Sequence, residues 1–277
     1  MSVKIFTVFH KVLDERLVWA EFPAAEIDRY FAPYAVNIEK PGKRLVGLDG
    51  KTTEVSSESP RVIVEHDLGW HDPALQARGF LETSCYVHAW RNRLHEPFDF
   101  FGVTQYDMRW TAPAAAMLRG LAEGGAAGGR TAFGIVCGPL VDAQGQFHPL
   151  AFEQVLDWNF LLYSYNRHFD QAWGIEALVG KPLTLFQTYV LPRAEFAALA
   201  GWLEVLCAEV YPWANEPPNA THWGALSGYT ERAEALFMAL RLHEGRIELQ
   251  HLPLEHDAGI PAALGVTKDH YGQASGR

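Results

Sequence analysis

Residues 97–110, P-F-D-F-F-G-V-T-Q-Y-D-M-R-W, decide the fold. Phe98, Phe100, Phe101, Val103 and Tyr106 make the segment apolar on both faces, the pattern of a central strand covered by helices on each side. It turns polar at Gln105 and Asp107, where such a strand would reach its carboxyl end. In open α/β sheets ligands gather at that end. A carboxylate delivered there by a rigid strand is placed to hold a metal ion or a sugar hydroxyl. An Asp that merely caps the following turn has the same signature, and both readings stand at this point.

Outward from that strand, strand-like and helix-like runs alternate. Residues 4–10 form a short apolar strand ending in His10-Lys11, suited to a first parallel strand. Residues 13–31 read as one or two helices broken at Pro23, and residues 34–39 as a second strand. Glycines and a Ser-rich run make residues 41–60 a loop with room for a hairpin. Residues 61–65 are strand-like. Asp72-Pro73 then signals a helix start, with Asp as N-cap and Pro in the first turn, and the periodicity carries that helix to about residue 94.

After the central strand, residues 111–123 read as an Ala-rich helix closed by the loop E-G-G-A-A-G-G-R at 123–130. That loop lacks the strand-before, helix-after context of a phosphate cradle and reads as a linker. A strand over 131–137, a helix over 152–169, a strand over 183–191 and a long helix opened by Pro192 follow. Residues 211–223 read as a Pro-rich aromatic loop containing Tyr211, Trp213, His222 and Trp223. The clearest amphipathic helix spans 229–242, and a last strand spans 247–252. The expected architecture is α/β, a mostly parallel central sheet flanked by helices, in one domain over 1–258 with a loose tail at 259–277.

With 277 residues, 48% of them hydrophobic, the chain holds a sizeable core and is not a disordered or fibrous protein. A net charge of −10 argues against general nucleic-acid binding, which needs clustered Lys and Arg. Three scattered cysteines read as buried free thiols in a reducing compartment. No signal peptide and no span long enough to cross a bilayer are evident, so a cytoplasmic location is expected, with peripheral membrane contact left open.

The Walker A loop, the G-x-G-x-x-G fingerprint, the G-x-S-x-G elbow and H-E-x-x-H are all absent, which weakens NTPase, dehydrogenase, hydrolase and zinc-protease readings. Polar residues remain at the ends of expected elements. His10 and Lys11 follow the first strand, Gln105 and Asp107 end the central one, Glu231 and Arg232 open the late helix, and His256-Asp257 follow the last strand. Each also has a plainer reading. A Glu in a first helical turn favours the macrodipole, Arg232 suits a solvated face, and His256-Asp257 suits a turn.

Several blocks, in order, resemble a bacterial family related to capsular-polysaccharide galactosyltransferases. The first strand running into His10-Lys11 is similar to that family's opening strand and H-K pair. Residues 80–92, F-L-E-T-S-C-Y-V-H-A-W-R-N, resemble its E-L-T…Y-W-x-W-K-N block, which carries over Glu82, Trp90 and Asn92. The central D-F-F-G-V-T-Q-Y-D is similar to its Y-I-G-L-x-H-Y-R-R strand, with Gln105-Tyr106 where His-Tyr is usual. T-L-F-Q-T-Y-V-L-P-R-A-E-F and S-G-Y-T-E-R-A-E-A-L-F resemble its N-M-F-I-M segment and its G-Y-x-x-E-R-L closing helix.

The resemblance implies a GT-A type glycosyltransferase with a nucleotide-sugar donor and a glycan or lipid-linked acceptor in polysaccharide biosynthesis. The chain departs from it at the central strand, where Asp107-Met108 replaces a double Arg. A divalent cation, manganese or magnesium, held by Asp107 and His256, would then neutralise the donor phosphates. Glu231 is the candidate base, and Arg232 would hold a phosphate or orient Glu231. His10, Lys11, Glu82, Asn92, Gln105 and Tyr106 would bind substrate. The alternatives are a non-catalytic sugar- or nucleotide-binding module of the same fold, and a metal-dependent hydrolase.

Overall fold

The structure, a computed structural model, describes residues 1–36, 42–124, 129–152, 157–214 and 225–256. The first half runs β1 (Val3–Phe9), β2 (Val12–Asp14), α1 (Glu15–Val18), α2 (Ala24–Tyr30), β3 (Phe31–Ala35), β4 (Arg44–Val46), β5 (Thr52–Glu54), β6 (Ile63–Val64), α3 (Pro73–Ala77) and α4 (Thr83–Arg91). It continues through β7 (Phe100–Gln105), β8 (Met108–Trp110), α5 (Ala112–Ala122), β9 (Thr131–Pro139), α6 (Pro149–Phe152) and α7 (Trp158–Phe169). The last part is β10 (Pro182–Pro192), α8 (Arg193–Ala214), α9 (Ala225–His243), β11 (Glu248–His251) and β12 (Leu254–His256).

Seven strands form the main sheet in the order β11-β9-β10-β7-β1-β3-β6. β7 is central, parallel to β1 on one side and antiparallel to β10 on the other. β10 alone runs against the rest, so the sheet is mostly parallel, as its doubly apolar middle strand requires. Phe101 and Val103 of β7 pack on one side with Phe6, Tyr86 and Phe196, while Phe100 packs on the other with Trp110 and Leu118. Burying each such Phe contributes about 1.5–3 kcal/mol. Gly102 sits between two such residues because a Cβ there would lie 2.6 Å from the Tyr189 carbonyl oxygen of β10.

The structure corrects several element boundaries. The helix expected over 72–94 is two. Asp72 does cap the first, accepting from the Ala74 N–H at 2.9 Å. The chain then leaves the helix after Ala77, and Gly79 and Leu81 adopt left-handed backbone at φ 86° and 47°. Glu82 therefore stands at the start of α4 instead of inside a long helix. The second strand begins at Phe31, earlier than expected, and residues 37–41 lie outside the described residues.

α8 continues through Pro212 to Ala214, so Tyr211 is helical and not loop; His222 and Trp223 lie outside the described residues. The expected helix over 152–169 is α6 and α7, with 153–156 outside the described residues. Residues 125–128 of the glycine loop and the tail from 257 onward also lie outside them. The last strand proves to be two, β11 in the main sheet and β12 paired antiparallel with β8. That second ladder sets His256 opposite Met108 and determines what the site contains.

Candidate active site

The carboxyl ends of β1, β7 and β9 share one edge of the sheet, and β10 crosses that edge in the opposite sense. There β10 bulges: Leu185 pairs with Ile135, but the next paired residue is Tyr189 with Gly134. Within the bulge Phe186 and Gln187 hold left-handed backbone at φ 71° and 45°. Two successive non-glycine residues in that region cost roughly 1–3 kcal/mol each, and such strain concentrates at functional sites. The start of α4 and the second turn of α9 close over the same edge.

Glu231 reaches the bulge from α9. One carboxylate oxygen accepts the Phe186 N–H and the other pairs with the Arg232 guanidinium. Arg232 is itself nearly buried, and its remaining donors go to the Leu150 carbonyl at 3.2 and 2.8 Å. In this arrangement it is placed against Glu231 and the Leu150 carbonyl. Burial pushes the Glu231 carboxyl above the usual range, and Arg232, the Phe186 N–H and His256 pull it back. Its side chain keeps 17% exposure.

Asp107 and His256, 149 residues apart in sequence, meet through the β8–β12 ladder, with Nε2 of His256 3.2 Å from Oδ2 of Asp107. The other Asp107 oxygen, Oδ1, is buried with no hydrogen-bond partner among the described residues. The Phe186 ring lies 5.1 Å from the His256 ring, joining this pair to the bulge. Glu82 completes the group. Burial pushes its carboxyl up to about 7, the charges of Asp107 and Glu231 add to the rise, and Ser227 lies 3.4 Å away and opposes it.

A carboxyl raised on folding binds its proton more tightly in the native chain. The stability it contributes is present at low pH and falls as pH climbs from 4.5 toward about 7. Glu231 and Glu234 are raised in the same direction. The contribution of these carboxyls to the chemical-denaturation midpoint is therefore expected to fall over that interval, and Glu82→Gln to flatten part of the fall. A midpoint equally steep in the variant would remove Glu82 from the titrating set.

The other sequence candidates divide. The His10 ring sits edge-on to the buried Tyr106 ring at 5.1 Å, just past β1, with Lys11 next in the chain and Gln105 ending β7 beside them. Asn92 is not brought to this group. It caps the far end of α4, and its amide is spent on the Trp70 N–H and C=O at 2.8 and 2.7 Å and on the His88 carbonyl at 2.8 Å. It ties a loop to the helix. Sequence reasoning missed Gln187, Ser227 and Glu234; a Gln inside the apolar run of β10 was the one available sign.

Among the described residues, no three His, Cys, Asp or Glu side chains come together as a metal site, and Asp107 and His256 stand there as a pair. No protein-family model matches the chain, and no curated protein matches it significantly. Among solved structures it is similar to the apo structure of WbbM, a bifunctional glycosyltransferase, with a TM-score of 0.52 and 14% identity. That match covers 93% of this chain and 46% of the other, so the chain spans less than half of that protein's length. A second similarity is to apo mouse xyloside xylosyltransferase 1, with a TM-score of 0.34 and 9% identity over 90% of this chain and 85% of that one. The fold is glycosyltransferase-like. No helix among the described residues is long and apolar enough to cross a membrane.

Proposed function

We propose that the chain is a glycosyltransferase, of the capsular galactosyltransferase-like kind its motifs resemble, moving a sugar from a nucleotide-diphosphate donor to a glycan or lipid-linked acceptor in polysaccharide biosynthesis. One observation carries this reading: Glu231, Glu82 and the Asp107–His256 pair converge beside a strained bulge at the carboxyl edge of the sheet. Ligands of open α/β folds bind at that edge. In the transfer an acceptor oxygen bonds to the anomeric carbon, the bond from that carbon to the diphosphate breaks, and its electron pair leaves with the phosphate. The acceptor's proton goes to Glu231 where configuration is inverted.

The leaving diphosphate needs its charge neutralised. Asp107 and His256 would hold a manganese or magnesium ion for this, and the unpartnered Oδ1 of Asp107 is the kind of oxygen such an ion satisfies. Hard cations commonly complete their shell with substrate phosphates and water, which suits a two-residue protein contribution. His10, Lys11 and Tyr106 at the end of β1 and β7 receive the nucleotide, while Glu82 and Gln105 face the sugar.

Incubation with a panel of nucleotide-sugars, with and without manganese, is the test. Slow donor hydrolysis is expected for one of them, and a nucleoside diphosphate soaked into crystals is expected over the end of β1. Tight binding without turnover would favour a sugar- or nucleotide-binding module. Density only on the opposite edge of the sheet would overturn the placement.

A further inference from the structure

The bulge is held by more contacts than its place in the sheet requires. The Gln187 side-chain N–H donates to Thr83 Oγ1 of α4 at 2.8 Å and to Glu234 Oε1 of α9 at 3.0 Å, and its carbonyl accepts from Ser227 of α9 at 3.1 Å. Its backbone carbonyl accepts from the Tyr86 hydroxyl of α4 at 2.8 Å. Thr83 and Thr230 bond directly across the two helices at 2.6 Å. Gln187 is 2% exposed, so one carboxamide locks the starts of two helices to a strand in a strained conformation. This conformation points the Phe186 N–H at the Glu231 carboxylate.

We infer that Gln187 is a positioning residue: it holds the Phe186–Gln187 step in its left-handed form so that the Phe186 N–H fixes the orientation and proton affinity of the Glu231 carboxylate. The inference rests on Glu231 being the base, but its mechanical part does not. Around Glu231 lie Arg232 and Glu234 on its own helix, Glu82 at the start of α4, Asp107 and His256 from the β8–β12 ladder, and Cys137 on β9. None of these is removed by a change at Gln187. Burial of Glu234 raises its carboxyl well above the usual range, and its Oε2 has no partner among the described residues.

Gln187→Gly permits the same φ without the anchoring carboxamide, and Gln187→Asn keeps an amide that is one methylene short and tolerant of left-handed backbone. With the step released, Glu231 loses a donor to its charged form, and its midpoint should rise. The carboxyl carbon of Glu231, assigned by its disappearance from the carbon-13 spectrum in Glu231→Gln, is expected to titrate about one pH unit higher in Gln187→Gly and less in Gln187→Asn. The acid limb of the transfer rate should move by the same amount, with nucleoside-diphosphate affinity within about twofold. If Gln187→Gly does not fold, Gln187→Asn decides alone. An unmoved Glu231 titration in the folded variant overturns the inference. A moved titration, with Glu231→Gln still transferring sugar at the normal rate, upholds the positioning and overturns the base.

Discussion

Glu231→Gln is expected to lower sugar transfer by about two to four orders of magnitude, the usual contribution of a positioned general base. Glutamine keeps the shape and the oxygen that accepts the Phe186 N–H, so donor binding should persist and the loss should fall on the chemical step. One side effect needs separating. Arg232 is nearly buried, and among the described residues Glu231 is the charged partner it pairs with, with further bonds going to the Leu150 carbonyl. Removing one member of a buried ion pair typically costs about 3–5 kcal/mol, so the melting temperature should fall as well.

Rates are therefore compared well below the melting transition, with nucleotide affinity as the check on folding. Glu82→Gln is the informative companion. Its carboxyl, pushed up to about 7, is also suited to take a proton near neutrality. Transfer lost in Glu82→Gln and kept in Glu231→Gln would move the base to α4. Transfer kept in both would leave the site without one.

What sequence could show of this site depends on which interactions fix each piece. β7 was legible because its apolar residues occupy both faces, a local pattern with one good structural solution. Asp107, Glu231 and His256 were legible one at a time, as polar residues at element ends. Bringing Asp107 and His256 together came from the resemblance and from no local pattern, because the contact depends on β12 pairing with β8 across most of the chain, a register that no local period encodes. The bulge was hidden for a different reason. Left-handed backbone is usually announced by glycine, and here Phe186 and Gln187 adopt it under the restraint of Thr83, Tyr86, Ser227 and Glu231.

Gly79 did mark the break that the long helix reading passed over, but Leu81 two residues later gave no such sign. Asn92 shows the reverse case. It fell within a recognisable block, yet its amide is consumed by Trp70 and His88, so its place in the pattern is accounted for by packing of the loop against α4.

Asp107→Asn is expected to cut turnover by at least about tenfold with the fold intact, since electrostatic stabilisation of a leaving group is usually worth several kcal/mol. Asparagine still offers an oxygen to His256, so the β8–β12 ladder should survive. The loss is of charge, together with exchange of one oxygen for an N–H2 group. The buried Oδ1 is where that loss should be felt, because among the described residues it has no hydrogen-bond partner. A second effect follows from the neighbours. Asp107 is one of the two charges that help raise Glu82, so its neutralisation should bring the Glu82 midpoint down from about 7. The two effects separate the roles. If Asp107 holds a cation, the rate defect should be largest in limiting manganese and shrink in excess metal, while the Glu82 shift stays the same. If Asp107 instead holds the donor sugar, the defect should be indifferent to metal and appear in donor affinity. If Asp107 only caps the turn between β7 and β8, the Glu82 midpoint still falls and turnover is unchanged, and the neutralisation of the diphosphate must then come from Lys11 and His10 at the end of β1.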